Sequence, residues 1–393
     1  MTKFMHVVRT PFSPAQKPNF RRFSIQKAFS DVYAYKALPP VARSMYCFSY
    51  LDLPFEPHIK RLPRLPIYRH DPIIHGFFSC FNHLRVLVIF PAWFGPFPFV
   101  ITKLFHLRYL QVRYFGNIPE SISELQNLQT LIYDCYSSHM ALPGKIWTMK
   151  NLRYIHLGKA SYTPNPRIDN NLVTGMPNLE EFFNICYSSC TNEVFSRIPN
   201  LKRLSICASS IVRENILYRL LDMSSLRKLE AFKLYWRYIL EKPIKRFVFP
   251  TSLRKLILAC CSHFIWEEIS STFIMLPNLE ELKLKYCRAE DDVWRLTSKD
   301  IFKSLKLLLS ELNLKHWEAS SVNFPCLKRL VLKNCQDLQE IPTDFGEIGT
   351  LESIELHDCN TISEESARNI EQEQEEMGNN ILKVYIHNNN SKL

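Results

Sequence analysis

LRYLQVRYFGNIPESISELQNLQTLIYDCYSSHMALPGKIWTMKNLRYIHL, residues 107–157, contains one six-residue unit three times. The unit is L-x-x-L-x-L. It opens at Leu107 (LRYLQV), Leu128 (LQTLIY) and Leu152 (LRYIHL), and a fourth copy stands upstream at Leu84 (LRVLVI). From Leu84 to Leu107, Leu128 and Leu152 the steps are 23, 21 and 24 residues. That spacing and period belong to leucine-rich repeats, which spend one short strand, a turn and a return segment on each coil. Leucines one, four and six turn into the coil, and the residues between them face outward along the strand. One coil cannot bury its apolar edge alone, so stability comes from stacking neighbours.

Working outward, further copies open at Leu201 (LKRLSI), Leu253 (LRKLIL), Leu279 (LEELKL), Leu327 (LKRLVL) and Leu351 (LESIEL). Leu179 (LEEFFN) and Leu226 (LRKLEA) open weaker ones. Between Leu305 and Leu314 the register reads two ways, through LKLL or through LSELNL, and a last strand, ILKVYI, begins at Ile381. Cysteine falls at position nine in Cys261, Cys287, Cys335 and Cys359, where a small side chain can turn inward as the chain leaves the strand. Pro177, Pro199, Pro277 and Pro325 precede leucine one by two residues and delimit the return segments. The expected fold is an α/β leucine-rich-repeat solenoid, a horseshoe of about 12 repeats with a parallel sheet on its concave face. Helix-paired solenoids use longer repeats, roughly 34–47 residues.

Both ends depart from the pattern. Residues 1–80 are proline-dense and are expected to form an N-terminal linker and cap. Residues 81–360 are the solenoid, and residues 361–393 a C-terminal cap of helix, strand and tail. Thr361 and Glu364 stand at capping-box spacing for that helix.

Composition narrows the function. With 46% hydrophobic and 22% charged residues the chain is a folded protein, and nine glycines leave little room for glycine-loop nucleotide sites. No phosphate loop, serine elbow or paired-histidine zinc motif occurs, the twelve histidines are scattered, and no C-x-x-C pair is present. These residues point to no enzyme, no cofactor and no small-molecule substrate. No signal-type apolar stretch and no spanning segment is visible, so a cytoplasmic location is expected.

A net charge of +11 suggests an acidic partner. On the outward strand positions of the eleven clear and weak copies, twelve basic residues face seven acidic ones. The candidate protein-binding residues on this concave face are Arg85, Arg108, Tyr109, Arg153, Tyr154, His156, Lys202, Arg203, Arg227, Lys228, Arg254, Lys255, Lys328 and Arg329. Lys283 adds to the basic set. Glu180, Glu181, Glu230, Glu280, Glu281, Glu352 and Glu355 are its acidic counterpart. Nucleic acid is not expected as the partner, because no recognised module accompanies the charge.

RRFSIQ (21–26), ARSMYCF, NIPESISELQNLQTL, ALPGKIWTMKNLRYI, ELNLKHWEAS, FPCLKRLVLKNC and SARNIEQEQEEMGNNILKVYI carry a resemblance spanning roughly residues 20–390. The chain resembles the C-terminal leucine-rich-repeat region of plant coiled-coil nucleotide-binding resistance proteins, of the late blight resistance type. The resemblance implies a cytoplasmic module of plant defence that restrains a nucleotide switch and helps recognise a pathogen effector or a guarded host protein. The family's coiled coil and nucleotide-binding module are missing from this sequence, so no nucleotide binding is expected of it. The competing reading is an F-box-type substrate adaptor for ubiquitination, which would require a helical N-terminal module.

Overall fold

The computed structural model describes residues 6–8, 21–25, 41–48, 78–79, 81–93, 97–114, 116–135, 140–166, 175–208, 220–236 and 247–388. The chain divides into two compact units, Met1–Ser189 and Cys190–Leu393. Both are leucine-rich-repeat stacks built on parallel strands.

In the first unit the strands are β1 (His6–Val8), β2 (Arg22–Ile25), β3 (Ser44–Cys47), β4 (Val86–Trp93), β5 (Tyr109–Tyr114), β6 (Thr130–Cys135), β7 (Met140–Ala141), β8 (Tyr154–Tyr162) and β9 (Glu181–Cys186). They pair in parallel, each main strand with the next, while β7 adds to the far end of β8. β1, β2 and β3 lie in the stretch assigned above to the N-terminal cap, and they pair in the same parallel sense as the repeats that follow. Leu84, Leu107, Leu128, Leu152 and Leu179 are fully buried, as are Leu87, Leu110, Leu131 and Ile155 at position four. Burial of a leucine side chain contributes roughly 1.5–3 kcal/mol, which makes the inner edge the main source of stability.

The return segments of this unit are short 3-10 helices, Phe99–Lys103, Glu120–Glu124 and Gly144–Thr148. An extended proline precedes each: Pro98, Pro119 and Pro143. Proline suits the entry to a helix, because the N–H it lacks would find no intrahelical partner there. Ile101, Ile122 and Ile146 drive each segment against the core. A side-chain staple then ties coil to coil. Asn127 donates to Phe105 O at 2.9 Å, Asn151 to Gln126 O at 2.8 Å and Asn178 to Lys150 O at 2.9 Å.

The second unit runs β10 (Arg203–Ala208), β11 (Leu221–Asp222), β12 (Ala231–Trp236), β13 (Phe247–Val248), β14 (Lys255–Ala259), β15 (Ser262–Phe264), β16 (Glu281–Ala289), β17 (Val293–Arg295), β18 (Leu307–Leu312), β19 (His316–Glu318), β20 (Arg329–Lys333), β21 (Ser353–His357) and β22 (Lys383–His387). The main ladder is β10, β12, β14, β16, β18, β20, β21, β22, all parallel. The pairs β11–β13 and β17–β19 make short sheets of their own. The staples continue here, Asn278 donating to Thr251 O at 2.9 Å and Ser304 to Pro277 O at 2.7 Å.

Position nine behaves as its spacing predicts. Cys260, Tyr286, Asn334 and Asp358 adopt positive φ at position eight, between 48° and 56°, and turn the chain out of the strand. The next thiol then faces inward: Cys261, Cys287, Cys335 and Cys359 each donate to the carbonyl two residues back. Cys287 and Cys359 also reach the preceding coil, at Leu258 O and Leu332 O, both 3.5 Å away.

Three α-helices lie among the described residues: α1 (Asn192–Ser196), α2 (Trp266–Phe273) and α3 (Thr361–Glu376). None of these helices is long and apolar enough to cross a membrane. Trp266 opens α2 and begins an aromatic column. It stacks on Trp294 of β17 at 4.6 Å, Trp294 stacks on Trp317 of β19 at 5.2 Å, and Trp317 meets Phe345 edge-on at 4.9 Å. Trp317 is the tryptophan of HWEAS, so that segment is legible as packing. The cap of α3 lies one residue earlier than Thr361: Asn360 accepts from Ser363 N at 2.8 Å. The same side chain donates to Gln336 O and Leu338 O, fastening the helix to the coil before it.

The structure settles three registers. Leu305 and Leu308 are buried and β18 starts at Leu307, so LKLL is the repeat and Ser310 takes the sixth position. Ile381 does open the final unit, but it is exposed and Leu382 is buried in its place. The copy placed at Leu226 is shifted: Phe232 pairs with Leu204, which makes Leu229 the first leucine and LEAFKL the repeat. Leu226 and Leu229 are both fully buried and sit at repeat spacing, which is why the sequence reads either way.

Candidate protein-binding surface

The second residue of each unit follows the first leucine, and the backbone fixes its position. Its own N–H and that of position three both donate to the position-two carbonyl of the preceding coil. Arg108 N and Tyr109 N reach Arg85 O at 2.8 and 3.0 Å, and Arg254 N and Lys255 N reach Glu230 O, both at 2.9 Å. Position-two side chains therefore stand in a row across the strands, about 4.8 Å apart.

In the first unit this row reads Arg21, Arg43, Arg85, Arg108, Gln129, Arg153, Glu180. Arg85 and Arg108 are exposed and make no ion pair among the described residues. Arg153 is taken, its Nε donating to Glu180 Oε1 at 2.9 Å, and this carboxylate raises the guanidinium's pKa. Its guanidinium also lies 5.8 Å from the Tyr154 ring centre. His156 Nε2 stands 2.9 Å from Glu181 Oε2 and its ring meets Phe183 edge-on. Tyr109 donates to Gln111 at 2.9 Å; burial, and then Tyr46, raise its hydroxyl pKa.

In the second unit the same row reads Lys202, Glu230, Arg254, Glu280, Lys306, Lys328, Glu352. Here charges are answered by the neighbouring strand. Arg254 meets Glu280 at 2.7 Å, Lys328 meets Glu352 at 2.9 Å and, one position on, Lys255 meets Glu281 at 2.8 Å. Arg329 meets Glu355 at 2.7 Å, while Arg203 stands exposed at the start of β10. The Arg254 hydrogen bond holds the Glu280 carboxyl below the usual range. For Glu281 burial pushes upward, and hydrogen bonds from Lys255 and Lys283 outweigh it, so it titrates low too.

The sequence therefore places twelve of the fourteen candidates on the outward strand positions, and misplaces two. Arg227 and Lys228 belong to the turn before β12, because the repeat there starts at Leu229; Glu230 and Ala231 hold the strand positions instead. With Lys202 and Arg254 these two cations line an open hollow of about 470 Å³, whose wall also contains Glu230 and Glu280. Three residues of the row were missed. Lys306 was hidden by the ambiguous register. Arg43 was hidden because Ala42, Met45 and Cys47, all buried, replace the leucines of its repeat, and Arg21 because Phe23 and Ile25 stand in register with Met45 and Cys47 in the repeat before.

The charge itself is unevenly divided. Residues 1–189 carry 21 Lys and Arg against 10 Asp and Glu, whereas residues 190–393 carry 28 against 28. The whole excess of +11 sits in the first unit. Among the described residues no three His, Cys, Asp or Glu side chains gather as a metal-binding group.

Comparison with known proteins agrees with this architecture. The leucine-rich repeat region family matches residues 68–382. Two late blight resistance protein homologs of Solanum demissum are 33% and 34% identical to the chain, over 82% and 71% of its length. The chain spans only 24% and 22% of those two relatives. Among solved structures, TLR13 in its complex with ssRNA13 superposes with a TM-score of 0.51, covering 95% of this chain and 55% of TLR13 at 15% identity, a likeness of fold.

Proposed function

The chain belongs to the leucine-rich repeat region family, and from that premise we propose that it is a non-catalytic recognition module of plant defence. It binds protein through its outward strand face. The observation that carries this reading is the concentration of Arg85, Arg108, Tyr109 and Tyr154 on adjacent strands of one face, in a unit holding all of the net positive charge. Arginine and tyrosine are the residue types that most often dominate binding energy at interfaces, and an uncompensated field speeds and orients encounter with an acidic partner.

In this reading the partner is a pathogen effector, a guarded host protein or the nucleotide-binding module of a related receptor. The resistance-protein relatives support it, and their greater length leaves room for such a module beside the matching region. A cytoplasmic location, an N-terminal flank over residues 1–80 and a C-terminal cap over 361–393 complete the proposal.

The test is co-precipitation of this chain with the coiled-coil and nucleotide-binding portion of a related receptor, at low and high salt. Capture at low salt that weakens as salt rises is the expected result. No capture at any salt would overturn the restraining role in trans.

A further inference from the structure

Resting on that reading of the strand face, we propose that Arg21, Arg43, Arg85 and Arg108 form one recognition line for an acidic segment of a partner protein, anchored beside it on Phe48 and Phe90. Main-chain bonds hold the four in consecutive positions. Arg43 N donates to Arg21 O, Arg85 N to Arg43 O and Arg108 N to Arg85 O, each at 2.8 Å. At strand spacing the line is about 14 Å long. All four side chains are exposed, and none has an ion pair among the described residues. The row ends at neutral Gln129, and the next arginine, Arg153, is already engaged by Glu180.

Like charges directly opposite one another on neighbouring strands repel. From Lys202 to Lys306 the second unit avoids this at the same position by alternating lysine and arginine with glutamate. A row of carboxylates laid across β2 to β5 would remove the repulsion and replace it with charge-assisted hydrogen bonds. About two and a half to three turns of an acidic helix, with glutamates three or four residues apart, match the length and the spacing.

The second element of the surface lies at the other end of the same strands. Phe48 and Phe90 are 47% and 42% exposed and stack on each other, ring centres 4.8 Å apart and planes within 14°. Phe48 is five residues beyond Arg43, about 16 Å along the strand. Tyr46 and Tyr109 fill the ground between. Because the two rings already stack, there is no slot between them for a nucleobase; their outer edges suit an aliphatic side chain. The observations thus favour a protein segment with several carboxylates on one side and an apolar residue at its margin.

The experiment uses the full chain and three fluorescent probes. The first is a synthetic helix with glutamate at every fourth residue and a leucine at its margin; the second is its glutamine twin; the third is an oligothymidylate of equal charge. The glutamate helix should bind, and the twin should not. R43Q/R85Q/R108Q should weaken binding about tenfold or more, whereas R254Q/K328Q/R329Q should leave it within about twofold, because those cations are already paired. Equal loss from both triples, loss only from the second, or tighter binding of the oligothymidylate overturns the proposal. A wild-type chain that captures its partner in the co-precipitation yet ignores the glutamate helix fails this inference alone.

Discussion

The two units solve the same problem beneath the surface and different ones upon it. Leu84, Leu107 and Leu128 in the first unit are as completely buried as Leu201, Leu229 and Leu253 in the second. Position two, one residue further, reads arginine four times running in the first unit and alternates in sign through Lys202, Glu230, Arg254, Glu280 and Lys306 in the second. Inward positions are dictated by packing, and an outward one only has to be solvated. A repeat stack can therefore carry a field or cancel it without altering its fold. The second unit spends Arg254, Lys328 and Arg329 on its own neighbours, while the first leaves the run from Arg21 to Arg108 facing solvent.

The largest effect is expected in the leucine cores, which each unit builds in the same way. Leu110→Ala and Leu256→Ala remove equivalent buried side chains of β5 and β14, and each should cost about 2–5 kcal/mol in urea unfolding. If the two costs differ by more than that range, the units are not held alike and the contrast in charge has a deeper cause.

The contrast sharpens at the row itself. Glu280→Lys places a cation between Arg254 and Lys306, and should lower the urea midpoint by about 0.3 M. Arg85→Glu puts an acid between Arg43 and Arg108, and should leave the midpoint unchanged or raise it. The same direction of change for both would mean that neither row senses its neighbours.

The smallest effect is in acid. Glu280 and Glu281 titrate below the ordinary carboxylate range in the folded state. Their stabilisation is thus complete above the unfolded value, near pH 4.5, and is lost as pH falls through the lower folded values. E280Q/E281Q should flatten the acid limb of the stability profile below about pH 4.5 and leave the profile near neutrality with the same slope. An unchanged acid limb would show that these pairs contribute nothing measurable.

Much of the fold was legible because leucine spacing is a packing constraint written directly into the chain. Where it failed, the reason is local. Leu226 and Leu229 are both buried, so spacing alone could not separate strand from turn, and Arg227 and Lys228 were misplaced with it. Ser310 stands where a leucine belongs, which blurred the register of β18. Ala42, Met45 and Cys47 carry a repeat that a leucine template cannot see, and with it went Arg43, a member of the arginine row. Site residues were readable as a list of outward positions; pairing was not, because it depends on which side chain stands one coil away.

The asparagine staples have a consequence for how such a chain changes over generations. Asn127, Asn151, Asn178 and Asn278 each grip a main-chain carbonyl of the coil before, at Phe105, Gln126, Lys150 and Thr251. Every amino acid supplies that acceptor, so the joint makes no demand on the identity of its neighbour. A recombination that duplicates or drops the segment between two such asparagines leaves the same grip on either side of the scar. Length is then a heritable variable that can drift while each remaining joint stays intact.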